Sequence, residues 1–164
     1  MQSEELRALQ APLKDRYRAD GAAARLTLSA TGALGEGVSC SVQTGRAIAD
    51  AGLHPMTGGD GSQLCSGDML LEALVACAGV TLRSVATAIG LDVAGSVTAE
   101  GDLDFRGTLG VDKEAPVGFE RIRLRFDLDT AASHEEVERL VELTERYCVV
   151  LQTLRTPPEI SVVP

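Results

Sequence analysis

Four cysteines, Cys40, Cys65, Cys77 and Cys148, are the reactive side chains that stand out in this 164-residue chain. Their spacings are 25, 12 and 71, with no CxxC pair, so neither a zinc ribbon nor a thioredoxin-type dithiol is encoded. What is left is the chemistry of individual sulfurs. A cysteine attacks only as its thiolate, and burial by itself penalises that form. His54 stands alone ahead of Pro55, without a Cys or His partner at metal-ligand spacing. It reads as a loop-packing residue, and a metal site combining it with Cys65, Cys77 or Cys148 is the weakest of the possible chemistries.

The elements that must position these sulfurs follow from periodicity. Ser3–Asp20 reads as a helix, with Leu6, Leu9, Leu13 and Tyr17 in one stripe; Pro12 should kink or split it, and Gly21 closes it. The alternating runs 24–30 and 38–44 flank TGALGEG, which predicts a hairpin. Parity there puts Cys40 with Val38 and Val42, as a buried strand cysteine. Residues 45–67 form a long glycine-rich connection that holds His54 and Cys65, of a length that is often functional. Residues 66–90 predict a helix that is apolar nearly all round from Met69 to Val80, hence a buried central one. Cys77 lies in its middle, facing Ala73, Leu74, Val80 and Thr81. Glu72, set about 140° away from Cys77 around this helix, should be neutral, solvent-reaching or paired.

Residues 93–109 and 119–129 read as paired strands, with a bulge or break near Gly101 and a wet face bearing Arg121, Arg123, Arg125 and Asp127. Residues 133–154 predict a second helix, opened by a capping box between Ser133 and Glu136. It carries Cys148 and is stopped by Pro157 and Pro158, before a terminal strand EISVV. Taken singly, Cys77 and Cys148 are core residues.

Composition limits the function. Apolar residues make up 45% and charged residues 24%, which excludes disorder throughout. With aromatics at 3% and no Trp, the core must be built from Ala, Val, Leu and Ile. Fifteen basic against 24 acidic residues leave a net charge of −9, which repels phosphate backbones and anionic lipid, so neither nucleic acid nor a membrane surface is expected as a partner. The longest unbroken apolar run, Ala73–Val80, has eight residues, against roughly 20 for a membrane span. The opening MQSEELRALQ lacks the apolar stretch of a secretory signal. A cytoplasmic location with reduced thiols is the expectation.

The run GDMLLEALVACAGVTLRSVA resembles the central helix of the OsmC/Ohr family of thiol-dependent hydroperoxide reductases, and ERYCVVLQTL resembles that family's second cysteine motif. The order of elements agrees over about 140 of the 164 residues. The resemblance implies an α+β fold: an OsmC-like intertwined homodimer, with antiparallel sheets wrapped around two long central helices. It divides the chain into an N-terminal helical extension, residues 1–21, and an OsmC-like domain, residues 22–164. It also implies Cys77 as the peroxidatic thiol and Cys148 as the resolving one, an organic hydroperoxide as substrate, a dithiol reductant and no cofactor.

Such a thiolate calls for a cation, and a carboxylate to hold that cation. The family's hairpin arginine is replaced here by Leu34, so Arg46 is the substitute cation. Asp68 is the nearest match to the carboxylate; nine residues before Cys77, it lies about 13–14 Å away along one helix. Val149 stands where a proline usually follows the second cysteine, which should let the helix continue. Cys65 is a bystander or an alternative resolving partner. The competing reading keeps the scaffold without the chemistry, as a protein binding a small hydrophobic ligand.

Overall fold

The structure is a computed structural model describing residues 3–34, 40–42, 51–62 and 64–161. It is mixed α+β, with a four-stranded sheet in the order β2-β1-β5-β6, formed by β1 (Arg25–Leu34), β2 (Cys40–Val42), β5 (Ala94–Asp104) and β6 (Arg121–Asp129). A two-stranded parallel pair is made by β3 (Ala51–Gly52) and β4 (Leu64–Cys65). The helices are α1 (Ser3–Ala19), α2 (Ser66–Ile89), a single turn α3 (Phe105–Thr108), α4 (His134–Tyr147) and the short α5 (Val149–Thr153). The chain forms two compact units.

The first unit comprises Met1–Ala30, Thr44–Glu72 and Ala99–Leu124. Helix α1 runs through Pro12 without ending there. It anchors the 45–67 connection: Tyr17 Oη donates to the Met56 carbonyl at 2.6 Å, and Gln10 Nε2 to that of Thr57 at 3.2 Å. The described residues of that connection, from Ala51 on, include β3, β4 and a 3-10 turn at Pro55–Thr57. Strand β5 ends at Asp104, not at Leu109 as expected. The buried Asp104 carboxylate accepts the Arg106 N–H at 3.0 Å and grips its guanidinium at 2.6 Å, which turns the chain into α3. No break occurs at Gly101. A Cβ there would come within 2.4 Å of the Phe119 ring, so this glycine makes room for an aromatic.

The second unit comprises Thr31–Gln43, Ala73–Thr98 and Arg125–Pro164. Strands β1 and β2 form the expected antiparallel hairpin, in register Gly32↔Val42 to Leu34↔Cys40. Strand β1 therefore takes in residues that the sequence suggests for the turn. Leu82, Ala86, Val93 and Leu140 form a buried cluster, packed by Val85, Leu91, Phe126 and Leu128. Gly90, at φ +74, ends α2 in the left-handed conformation, and Leu91 N–H reaches back to the Ala86 carbonyl at 2.9 Å, a glycine-closed helix end.

With 24 residues, α2 is long and apolar enough to cross a membrane by length and composition. The expectation that it is covered on most sides holds for one stripe only. Leu71, Leu74, Val75, Ala78, Leu82 and Ala86 are buried, whereas Leu70, Val80 and Ile89 are exposed. That spacing of three and four is the pattern of a helix lying on a core.

Two further expectations are corrected at the C-terminal end. The second helix does not continue through Val149. It breaks at Cys148, whose backbone is extended at φ −71, ψ 106. The capping box is present, with the Ser133 N–H donating to Glu136 Oε2 at 2.8 Å. Beyond Pro158 the described residues through Ser161 make no strand, and Ile160 is almost fully exposed. The two prolines leading into the segment supply no N–H to a ladder.

Candidate active site

The site begins with the break between α4 and α5. In an unbroken helix the Val149 N–H would bond the Glu145 carbonyl, four residues back. Here Cys148 N–H still bonds the Thr144 carbonyl at 2.9 Å, and Gln152 N–H bonds that of Cys148 at 3.0 Å. The break therefore frees the first N–H groups of α5. The carbonyl released at Glu145 is taken by the Gln152 side chain at 2.7 Å, and Arg155 holds the Glu145 carboxylate at 2.7 Å. The cost of interrupting the helix is thus met locally by residues of α5 and the turn after it.

The freed donors converge on two sulfurs. Cys77, half-buried on α2, hydrogen bonds to Cys148 and is reached by the N–H groups of Val150 and Val149 and by the Thr81 hydroxyl. Both cysteines are free thiols, and Cys148 is fully buried. Their acidities are pushed apart. Burial raises the Cys77 thiol, but the hydrogen bonds from Val150 N–H, Cys148, Thr81 and Val149 N–H outweigh it, and the net shift is downward. Burial pushes Cys148 up and the Cys77 sulfur beside it pushes it further, against the N–H groups of Leu151 and Val150. Cys77 is thus the more acidic thiol of the two, and it is the thiolate of a cysteine that attacks.

Cys77 and Cys148 are thus brought together. Among the described residues, the groups favouring the Cys77 anion are backbone N–H, thiol and hydroxyl donors. A thiolate is stabilised by aimed dipoles as well as by a full charge. Arg46 lies outside the described residues.

Asp68 belongs to the first unit, in the first turn of α2. Burial raises its carboxyl and the nearby His54 opposes this. Glu72 is raised too, by burial and then by the Asp68 charge. His54 is the loop-packing residue expected. Its ring stacks on Phe105 at 5.2 Å, and its Nδ1 accepts the Met56 N–H at 3.0 Å. Cys65 is a half-buried free thiol of β4 in the same unit. Among the described residues no cluster of His, Cys, Asp and Glu could hold a metal ion.

The contributions least visible in the sequence are the main-chain donors of Val149 and Val150. Their one local signal is the β-branched pair itself, which weakens helix continuation. Thr81 was open to recognition, four residues after Cys77 on the same face.

A family model described as OsmC-like protein matches residues 59–163, more than half of the chain. The chain belongs to the OsmC-like protein family. Both cysteines of the pair lie inside the matched segment. The fold is similar to that of an OsmC-like hydroperoxide resistance protein from Jannaschia sp. CCS1, with a TM-score of 0.55 and 15% identity, covering 84% of this chain and 91% of that one. At that identity the likeness is one of fold. No curated protein matches the chain in sequence. Family membership accounts for the order of elements in this OsmC-like chain, and the local contacts account for the state of its two thiols.

Proposed function

We propose that this OsmC-like chain is a thiol-dependent peroxidase that reduces organic hydroperoxides, with Cys77 as the attacking sulfur and Cys148 as the resolving one. The observation carrying this reading is the hydrogen-bonded pair with divergent acidities: a lowered Cys77 beside a raised, fully buried Cys148. The Cys77 thiolate attacks the distal peroxide oxygen. The O–O bond breaks, the alkoxide takes a proton from solvent and leaves as alcohol, and Cys77 becomes a sulfenic acid. Cys148 gives up its proton and attacks the Cys77 sulfur. Hydroxide leaves, is protonated to water, and the disulfide forms. A dithiol reductant then restores both thiols by exchange.

In this reading Asp68 and Arg46 keep the supporting roles the resemblance implies, the carboxylate holding the cation. Residues 1–21 are an extension to a domain spanning 22–164, and the protein works in the reducing cytoplasm as a homodimer. The exposed apolar side chains Val80, Tyr147, Val149 and Leu154 of the second unit support an interface there.

The test compares consumption of an organic hydroperoxide, with a dithiol reductant, by wild type, Cys77→Ser and Cys148→Ser. Cys77→Ser is expected to fall to background. Cys148→Ser is expected to consume about one equivalent of peroxide per chain and then stall when the reductant cannot reach the sulfenic acid. Equal rates for all three proteins would remove the peroxidase reading and leave the ligand-binding alternative.

A further inference from the structure

The helix break at Cys148 is not forced by covalent chemistry. Residue 149 is a valine with an N–H to give, and in an unbroken helix that N–H would take the Glu145 carbonyl. One acceptor therefore has two candidate donors. If Val149 takes it, α4 runs on through Cys148. In the structure Gln152 Nε2 takes it at 2.7 Å, and α4 ends at Tyr147. Gln152 also reaches the break through its main chain, since its N–H donates to the Cys148 carbonyl at 3.0 Å. One residue thus ties the α4 side of the break and the cysteine at the break itself. Its amide is oriented for this. Arg155, paired with the Glu145 carboxylate at 2.7 Å, lies 3.5 Å from Gln152 Oε1, which leaves the NH2 group to the carbonyl. Both partners of that ion pair are more than half exposed, so it adds little by itself, and the neutral amide is the decisive contact. Cys148, bonded to Thr144 on one side and Gln152 on the other, is fully buried.

We propose that Gln152 is a positioning residue for Cys148: by occupying the Glu145 carbonyl it keeps α4 from continuing, and so fixes the buried backbone from which the Cys148 thiol is presented. The inference rests on the reading of Cys148 as the resolving thiol. Continuing the helix would turn Cys148 from ψ 106 to a helical ψ of about −42°, and the chain after it would leave its present course. A disulfide needs Cα atoms within about 7 Å and Cβ vectors that point together. The fraction of molecules with the break in place therefore sets how readily Cys77 and Cys148 close their bond.

The experiment measures the equilibrium constant for closing the Cys77–Cys148 disulfide in mixtures of oxidised and reduced dithiothreitol, read by mass spectrometry of the linked peptides. Each disulfide closed reduces one molecule of oxidised dithiothreitol. The proteins compared are wild type, Gln152→Met, Gln152→Leu, Val149→Pro and the double variant Val149→Pro with Gln152→Met. Loss of one amide–carbonyl bond should lower the constant about three- to tenfold in Gln152→Met and Gln152→Leu. Proline at 149 has no N–H for Glu145, so the helix cannot close again. In that background Gln152→Met should change the constant by less than about twofold. A side chain that merely stabilises the fold would lower it equally in both backgrounds. Two replacements of different shape guard against a folding defect in either one. An unchanged constant in both single variants, or an equal fall with and without proline, would overturn the proposal. A wild type that closes the disulfide but consumes no hydroperoxide, with the variants behaving as expected, would uphold Gln152 and remove the peroxidase reading alone. A wild type that closes no such disulfide would overturn both.

Discussion

Val149 follows the buried cysteine at the helix break and is itself 70% exposed, so its side chain does little packing while its N–H reaches the Cys77 sulfur. Proline would remove that donor. It is suited to the first position of a helix, where its fixed φ is already helical, and position 149 is the first of α5. Val149→Pro is therefore expected to fold with stability equal to wild type or up to about 1 kcal/mol higher. The pH midpoint for alkylation of Cys77, followed by mass spectrometry of the peptide that contains it, should rise. Chemical denaturation and alkylation against pH test the two halves separately. A strongly destabilised Val149→Pro would mean that the break at Cys148 is not a true helix start.

At the level of elements, the positions that tolerate least are those where backbone meets backbone. Gly95, the second residue of β5, has φ +129, and a Cβ there would lie 2.0 Å from the Asp127 carbonyl oxygen of β6. Gly90 also has positive φ, at +74, but open space around it. Gly95→Ala should therefore lose more than about 2 kcal/mol, from strain and clash together, and Gly90→Ala about 1 kcal/mol, from conformation alone. Urea unfolding of the two variants measures the difference. Equal losses would show that the approach of β6 to Gly95 relaxes without cost. The α4–α5 break obeys the same logic of local satisfaction. It persists without proline because the Glu145 carbonyl has the Gln152 side chain as a replacement partner.

For the whole molecule, the carboxylates set the response to acid. The side-chain hydrogen bonds of Arg123 and then Thr27 hold Asp102 far below the usual carboxylate range. Arg106 lowers Asp104, and the Ser133 N–H lowers Glu136. For each, the unfolded chain binds the proton more readily, so the stability they give is full above the ordinary carboxylate range and is lost as pH falls through the depressed values. Asp68 and Glu72, raised by burial, act in the opposite sense, since their contribution is full below the ordinary range and fades as pH rises through the elevated values. The urea midpoint is expected to drop steeply below about pH 4, and Asp104→Asn should flatten that acid limb. An unchanged limb in Asp104→Asn would discard the assignment of Asp104. A separate expectation follows from the proposed dimer: light scattering should give twice the mass of one chain, and Val80→Asp should lower it toward that of a monomer.

The sequence by itself determined the element types, because those rest on local periodicity and caps. The capping box of α4, the glycine stop of α2, the period-two pattern of β6 and the cysteine in the middle of an apolar helix could all be read from neighbouring residues. The same local reading extended the last helix through Cys148, and that expectation failed. Main-chain donors carry no residue identity, so their direction is decided by where the chain breaks, and that break is held by Gln152 and Arg155 acting on Glu145 several residues away. Only the tertiary structure decided that α5 turns its first N–H groups toward a sulfur on α2, making one thiol of a chemically identical pair more acidic than the other.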